Sequence, residues 1–355
     1  MKIPHLKKVL IPFVALMLVV GVCIYFVFAP VMTQQGSMIF YLRPGTSKKV
    51  IGAELLQQGV ISSSTTFSFY MLLHKNAELK SGEYLFPAGS SVHSIWKQIT
   101  SGTGLYYRPF TIVPGWTFKQ LRNQLAQIDG LKHFTANMTD QQIMALFGAP
   151  TVSPEGEFYP ETYNYTKGDL DITILKRAYN LMQLRLSEAW EQRANGLPYK
   201  DMYTALIVAS IIEREAYLDA ERPVIAGVII NRLHQGMLLQ IDATVIYGLG
   251  DRYDGKIYKK DLLENTPYNT YVQKGLPPTP ISMPGMASIN AALHPVITSY
   301  LYYVAKGDGS HQFSTSLSQH KAAVEKSLHS SSPAPALQNK AKTSSIIKKI
   351  VKVSA

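Results

Sequence analysis

"ALIVASIIEREA", residues 205–216, decides the reading of the larger part of this chain. An almost unbroken apolar run, Ala205 to Ile212, passes into Glu213, Arg214 and Glu215 with no Gly or Pro between. That is the pattern of a helix buried on most sides. At about 100° per residue, Glu213 and Glu215 lie about 200° apart and cannot share a face. Glu213 shares its sector with Tyr203, Ser210 and Arg214, where solvent is expected. Glu215 falls between Ile211 and Val208, in the stripe also made by Ile207, Ile212 and Leu218. A buried, unpaired carboxylate is costly, and desolvation raises its pKa. Two readings stay open. Glu215 is a structural acid paired with Arg222, Arg232 or a backbone N–H, or it is a general acid kept protonated near neutral pH, the group that glycoside-cleaving enzymes place on a leaving oxygen.

Working outward, 171–195 has helical spacing through Leu175, Tyr179, Leu181 and Met182 and stops at Gly196-Leu197-Pro198. "VIAGVIINRL", 224–233, is a further apolar stretch, and 236–320 is dense in Gly, Pro, Tyr and Asn with strand-like "LYYVA" at 301–305. A strand is expected near Tyr106, a helix within "VPGWTFKQLRNQLAQ" (113–127), and a loop in "PEGEFYPETYNY" (154–165). Glu155 and Glu157 in that loop are expected on a solvated face, with a second acid near the cleft as the alternative. His294, His311 and His320 lack metal-ligand spacing and are expected to be structural, with His311 the one candidate for a cleft. There is no HExxH, Walker loop or GxSxG, so neither metal nor cofactor is expected.

Toward the N-terminus, "MIFYLR" (38–43) alternates like a strand, and Pro44-Gly45-Thr46-Ser47 supplies a turn and a helix cap. Helices are expected over 48–58 and 64–75, a strand in "SGEYLF" (81–86), and a capped helix in "SSVHSIWKQITSG" (90–102). This small α+β module is similar in element order to LysM domains, which bind wall glycans.

The two ends fix the environment. Val9 to Phe28 carries no charge, and about 20 such residues span a bilayer core. A cleaved signal peptide is the alternative, but its apolar region is roughly 7–15 residues and ends in a small-x-small site. This run is longer and ends at Phe28-Ala29-Pro30, which favours a retained single-pass anchor. Lys2, Lys7 and Lys8 precede it and the next basic residue is Arg43, so the N-terminus is expected in the cytoplasm and the rest outside. The formal charge of +11 is concentrated at the ends: +3 in the first 29 residues and +6 in 321–355, which leaves +2 for all the residues between. A basic groove for nucleic acid is thereby excluded. "SSSPAPALQNKAKTSS" (330–345) reads as disordered. Cys23, the one cysteine, rules out an intrachain disulfide.

"SIIEREA", "VIINRL", "LLQIDATVIYGLG", "YNTY", "GLPPTPISMPG" and "LYYVAKGDGSHQFSTS" stand in this order between Ser210 and Ser316. They resemble the motifs of the endolytic murein transglycosylases, the MltG or YceG-like family, over about Ile39 to Ser327. The resemblance implies that Glu215, the second acid of the Glu-x-Glu pair, is catalytic. It implies a lytic transglycosylase that cleaves the bond between N-acetylmuramic acid and N-acetylglucosamine and leaves 1,6-anhydro ends, which terminates nascent strands. Asn231, Gln240, Asp242, Tyr247, Tyr268 and Asn269 have the chemistry to line a sugar cleft. Ala216 stands where family members commonly have Thr or Ser, and Asp242-Ala243-Thr244 where Asp-Pro-Thr is usual. The expected partners are peptidoglycan strands, the inner membrane and peptidoglycan synthases. Alternatives are a lysozyme-type hydrolase using Asp242 as second carboxylate, and a non-catalytic wall-binding scaffold.

The expected architecture is therefore α+β: a cytoplasmic N-terminus (1–8), a transmembrane helix (9–29), a LysM-like module (37–103), a larger mixed α/β catalytic domain (104–328) and a disordered basic tail (329–355).

Overall fold

The computed structural model describes residues 4–31, 36–74 and 76–330. Its elements are mixed α/β, and every sheet is an antiparallel pair of short strands. In chain order they are α1 (Pro4–Phe28), β1 (Met38–Leu42), α2 (Lys48–Gln57), α3 (Ser64–Leu73), β2 (Gly82–Phe86), α4 (Val92–Ser101) and β3 (Arg108–Thr111). Then come α5 (Phe118–Ala126), α6 (Asp140–Ala145), β4 (Thr162–Tyr165), α7 (Asp171–Glu191), α8 (Met202–Glu215) and α9 (Arg222–His234). The last are α10 (Asp242–Leu249), α11 (Lys259–Leu263), α12 (Met286–Leu293), β5 (Tyr302–Ala305), β6 (His311–Ser314) and α13 (Leu317–Ser330). The expected helices and strands recur within a few residues, and further elements form where none was expected, among them α6, α10, α11, α12, β6 and α13. Residues 162–165, expected as loop, form β4 and pair with β3 in the register Arg108↔Tyr165. Their Thr-Tyr-Asn-Tyr alternation buries Tyr163 and Tyr165.

The 19 residues Leu10–Phe28 of α1 are long and apolar enough to cross a membrane, a test that a signal sequence also passes. Residues 331–355, which hold nearly all of the expected tail, lie outside the described residues, and α13 itself runs to Ser330.

The chain divides into two compact units, one drawn from 1–112, 122–139 and 161–177, the other from 113–121, 140–160 and 178–355. In the first, β1 pairs with β2 from Met38↔Phe86 to Leu42↔Gly82. Phe40, Ile51, Leu55, Phe67, Tyr84, Phe86, Ile95 and Ile99 close the core beneath that pair. Ser91 caps α4 by accepting from Ser94 N–H, and Gly102 ends it in the left-handed region (φ 77°), where glycine is favoured.

The second unit is organised around α8. Asp201 caps it by accepting the Thr204 N–H at 2.7 Å, and Ala205 through Ile212 are all buried. Its neighbours are α9, α10 and α12. The helix breaks at Ala216 (φ −84°, ψ 118°), so Glu215 is its final residue. On α9, a Cβ added at Gly227 would stand 2.5 Å from the Val296 carbonyl oxygen, so only glycine permits this approach. The β5–β6 hairpin follows, pairing Tyr303↔Phe313 and Ala305↔His311. Those four residues share one face of the hairpin.

Candidate active site

Glu215 stands on the wall of an open-sided cavity of about 780 Å³ formed within the second unit. Gln240, Asp242, Tyr271, Tyr302, Tyr303 and His311 line it with Glu215, and α13 supplies His320 and Lys321. The carboxylate accepts the Tyr303 hydroxyl at 3.0 Å and the Ala243 N–H from the first turn of α10. Burial pushes its pKa above the usual carboxylate value, and the Asp242 charge adds to the rise. The Tyr303 hydrogen bond, His311 and the Ala243 N–H oppose it. The negative end of the α8 dipole also disfavours ionisation at this position. Neither arginine considered as a partner reaches Glu215: Arg222 pairs with Glu213, and Arg232 is spent on backbone carbonyls.

Each wall has a scaffold behind it. Asn231 Nδ2 donates to the Thr298 and Tyr300 carbonyls at 2.8 and 2.9 Å, and Arg232 Nε to the Leu301 carbonyl at 2.6 Å. Arg232 also donates to the Leu238 and Leu239 carbonyls, and its guanidinium lies 5.0 Å from the Tyr302 ring centre. Together they clamp the entry to β5, the strand that carries Tyr302 and Tyr303. On the opposite wall, Asn269 Nδ2 donates to the carbonyls of Asp261, Leu262 and Glu264, and its Oδ1 accepts the Tyr271 N–H. Tyr271 then donates its hydroxyl to Asp242 at 2.5 Å. Between these walls Gln240 takes φ 51°, a left-handed conformation rare for a residue with a side chain. It is held there by its N–H on the Thr270 carbonyl and by the Ile241 N–H on Thr270 Oγ1.

His311 is gripped by Glu221, which accepts its backbone N–H at 2.9 Å and meets its Nδ1 at 2.7 Å. Its ring packs edge-on against Tyr303, centroids 5.4 Å apart.

Of the six residues expected to line a sugar cleft, Gln240 and Asp242 share the cavity with Glu215. Asn231 and Asn269 sit behind its walls with their amide nitrogens on carbonyls. Tyr247 and Tyr268 are half-buried and lie outside that cavity lining, their rings 4.8 Å apart. There Tyr247 donates to Glu155 at 3.1 Å and Tyr268 meets Thr279 at 3.0 Å.

Two sequence expectations are corrected. Glu155 and Glu157 are not solvated; each is 4% exposed. Glu155 accepts the Phe118 N–H at 3.0 Å, and Glu157 accepts from Gln183 at 2.7 Å. Burial pushes their pKa values up to about 8 and about 7. Glu213 is not in solvent either. It accepts the Gly285 N–H at 2.9 Å and the Ser288 hydroxyl at 2.8 Å, with Arg222 3.5 Å away. Tyr271, Tyr302, Tyr303 and Glu221 were missed as site residues, although "YNTY" and "LYYVA" place three of them inside motifs.

Comparison with known proteins decides the family: the sequence pattern of the YceG-like family matches residues 40–326. The chain belongs to the YceG-like family. It is 31% identical over 307 residues to the endolytic murein transglycosylase of Bacillus subtilis (strain 168), a match covering 81% of this chain and 83% of that one. It is 25% identical over 293 residues to the endolytic murein transglycosylase of Streptococcus pneumoniae serotype 2, covering 74% of this chain and 53% of the relative. A crystal structure of a yceG-like protein from Listeria monocytogenes aligns with a TM-score of 0.53 at 29% identity, covering 81% of this chain and 99% of that one. The YceG-like match takes in the whole Glu215 cavity, from α8 to Glu325 on α13.

Proposed function

We propose that this YceG-like enzyme is a membrane-anchored lytic transglycosylase that cuts peptidoglycan glycan strands with Glu215 as its acid and base. The observation that carries the reading is a single carboxyl at the end of a buried apolar helix, opening on a cavity and held above its usual pKa. The raised pKa favours the protonated form, which is the form that can transfer a proton to a leaving oxygen.

Glu215 gives its proton to the glycosidic oxygen as the bond from that oxygen to C1 of N-acetylmuramic acid breaks. The neighbouring acetamido group of the substrate stabilises C1. The Glu215 carboxylate then takes the proton of the C6 hydroxyl, whose oxygen closes on C1 to form the 1,6-anhydro ring. The acid is regenerated and no water is consumed. Tyr303 and the Ala243 N–H stabilise the carboxylate between the two proton transfers. A two-carboxylate hydrolase would need a second acid free to activate water. Asp242 and Glu325 also line the cavity; Asp242 is the one whose charge raises the Glu215 pKa, and its hydrogen bond from Tyr271 favours a positioning role instead.

Of the six residues singled out from the sequence, Gln240 and Asp242 would contact the sugar directly. Asn231 and Asn269 would act by fixing the walls, and Tyr247 and Tyr268 by packing together beside Glu155. The β1–α2–α3–β2 order supports reading 37–103 as a LysM-like glycan-binding module preceding the catalytic domain. The lysine asymmetry about α1 supports an extracytoplasmic catalytic domain, within reach of nascent strands and of synthases that make them. Glu215→Gln preserves volume and removes the transferable proton, so turnover of purified glycan strands should fall by roughly two or more orders of magnitude. Retained turnover in the folded variant would refute the assignment.

A further inference from the structure

The first unit carries an apolar surface that the catalytic proposal does not use. Along α3, Phe67, Tyr70 and Met71 turn into the core, while Phe69, Leu72 and Leu73 are 54%, 57% and 64% exposed. Their i, i+3, i+4 spacing puts the exposed three on one helix face. None of the ten residues of α3 is charged, so nothing on the helix opposes contact with an apolar phase. Single exposed apolar side chains are ordinary, but a contiguous set on one face marks an interaction surface.

The position of this face identifies what covers it. Tyr70, on the same two turns, bonds His93 Nδ1 at 2.7 Å, and the His93 ring lies 4.9 Å from that of Phe28. Phe28 is the last residue of α1, the one described helix long and apolar enough to cross a membrane. The chain leaving α1 is pinned to the same module. Val31 N–H donates to the Ser90 carbonyl at 3.0 Å, Pro30 bridges to Ser91, and Val27 and Val31 pack against the module's core. α1 also packs on α3 and α4 directly. Tyr70 of α3 is thus joined through His93 to the end of the span, and reading α1 as a membrane helix puts that end where a bilayer changes from acyl chains to headgroups. A continuous set of ring contacts, Phe28 to His93 to Tyr70 to Trp96, ties the end of α1 to α3 and α4.

We propose that Phe69, Leu72 and Leu73 form a lipid-contacting face that seats the N-terminal module on the outer surface of the bilayer beside its own anchor. The inference rests on the reading of α1 as a retained span. Continuity with that span selects lipid over a protein partner as the occupant. An interfacial helix of this kind buries its apolar face about 5–10 Å into the boundary region. The module would then be held in a fixed attitude to the membrane plane instead of swinging on a tether.

The test uses the full chain with Cys23→Ser, carrying one cysteine at a time in place of Phe69, Leu72, Leu73 or, as a solvent control, the fully exposed Ile297. Each is labelled with an environment-sensitive fluorophore and reconstituted in phosphatidylethanolamine–phosphatidylglycerol vesicles with nitroxide-bearing acyl chains. Labels at 69, 72 and 73 should emit blue-shifted light and lose most of it to shallow nitroxides, while the label at 297 does neither. Emission at the three positions equal to that at 297 would overturn the seating. So would a blue shift without nitroxide quenching, which would put protein and not lipid over the face. A parallel sample with Cys23 intact separates the two claims. Reaction of Cys23 with an impermeant maleimide in sealed vesicles would overturn the anchor and the seating together, whereas a protected Cys23 with solvent-like α3 labels would overturn the seating alone.

Discussion

Glu213→Gln should unsettle the fold while sparing the chemistry two residues away. The Glu213 carboxylate is 8% exposed and Arg222 11%. One carboxylate oxygen accepts both the Gly285 N–H at the start of α12 and the Ser288 hydroxyl, and the other faces Arg222. Ser288 in turn accepts from Arg222 at 2.5 Å. An amide in place of the carboxylate keeps at most the two neutral acceptor contacts and turns an N–H₂ toward a guanidinium. Hydrogen bonds to charged groups contribute about 1.5–3 kcal/mol each against about 0.5–1.5 for neutral ones. Removing one partner of a buried ion pair costs about 3–5 kcal/mol. Arg222 retains Asp219 at 2.9 Å, which brings the net loss down to about 2–3 kcal/mol. For a unit of this size that is about 4–12 °C in Tm. Circular dichroism melting of the detergent-solubilised chain, with turnover measured well below Tm, reads both quantities. Glu215→Gln should show the mirror image, with no loss of Tm and no turnover. A Glu213→Gln protein that melts with the wild type but has lost its turnover would refute the division of roles.

Three further variants test the electrostatics. Tyr303→Phe removes a hydrogen bond that favours ionised Glu215, so the alkaline limb of the activity profile should move to higher pH. Asp242→Asn removes a charge that disfavours it, so the limb should move to lower pH; loss of turnover as complete as in Glu215→Gln would instead make Asp242 the second carboxylate of a hydrolase. Glu155 and Glu157 have folded pKa values raised to about 8 and about 7, so their protonation favours the native state below an unfolded value of about 4.5. That contribution is lost as pH rises toward 8, by at most about 1.4 kcal/mol per pH unit for each group. Glu155→Gln imitates the protonated acid, so Tm should fall less between pH 5 and pH 8 than in the wild type; parallel or steeper curves would contradict the burial assignment.

What could be read in advance followed the range of the interactions. Glu215 was legible because one helix suffices to place a carboxylate among Ile207, Val208 and Ile211. Glu213 was misplaced by the same wheel, since its partners are Arg222, Gly285 and Ser288, which no single-helix projection contains. Glu155 and Glu157 looked solvated in a Pro-rich loop, yet Phe118, Tyr247 and Gln183 bury and bond them from distant parts of the chain. Asn231 and Asn269 have the chemistry of sugar contacts, and their amide nitrogens are engaged by backbone carbonyls of neighbouring segments that no local pattern reveals. The β5 strand was visible in its own residues. That it would set Tyr303 on Glu215 depends on the clamp from α9, which only the folded chain assembles.

The central claim is a lone glutamate that needs no water, and the mass of the product tests it most directly. Purified glycan strands incubated with the chain and analysed by mass spectrometry should give fragments ending in 1,6-anhydro-N-acetylmuramic acid, with masses that sum to the substrate and no water added. Fragments that carry one added water and a reducing N-acetylmuramic acid end as the dominant product would contradict it.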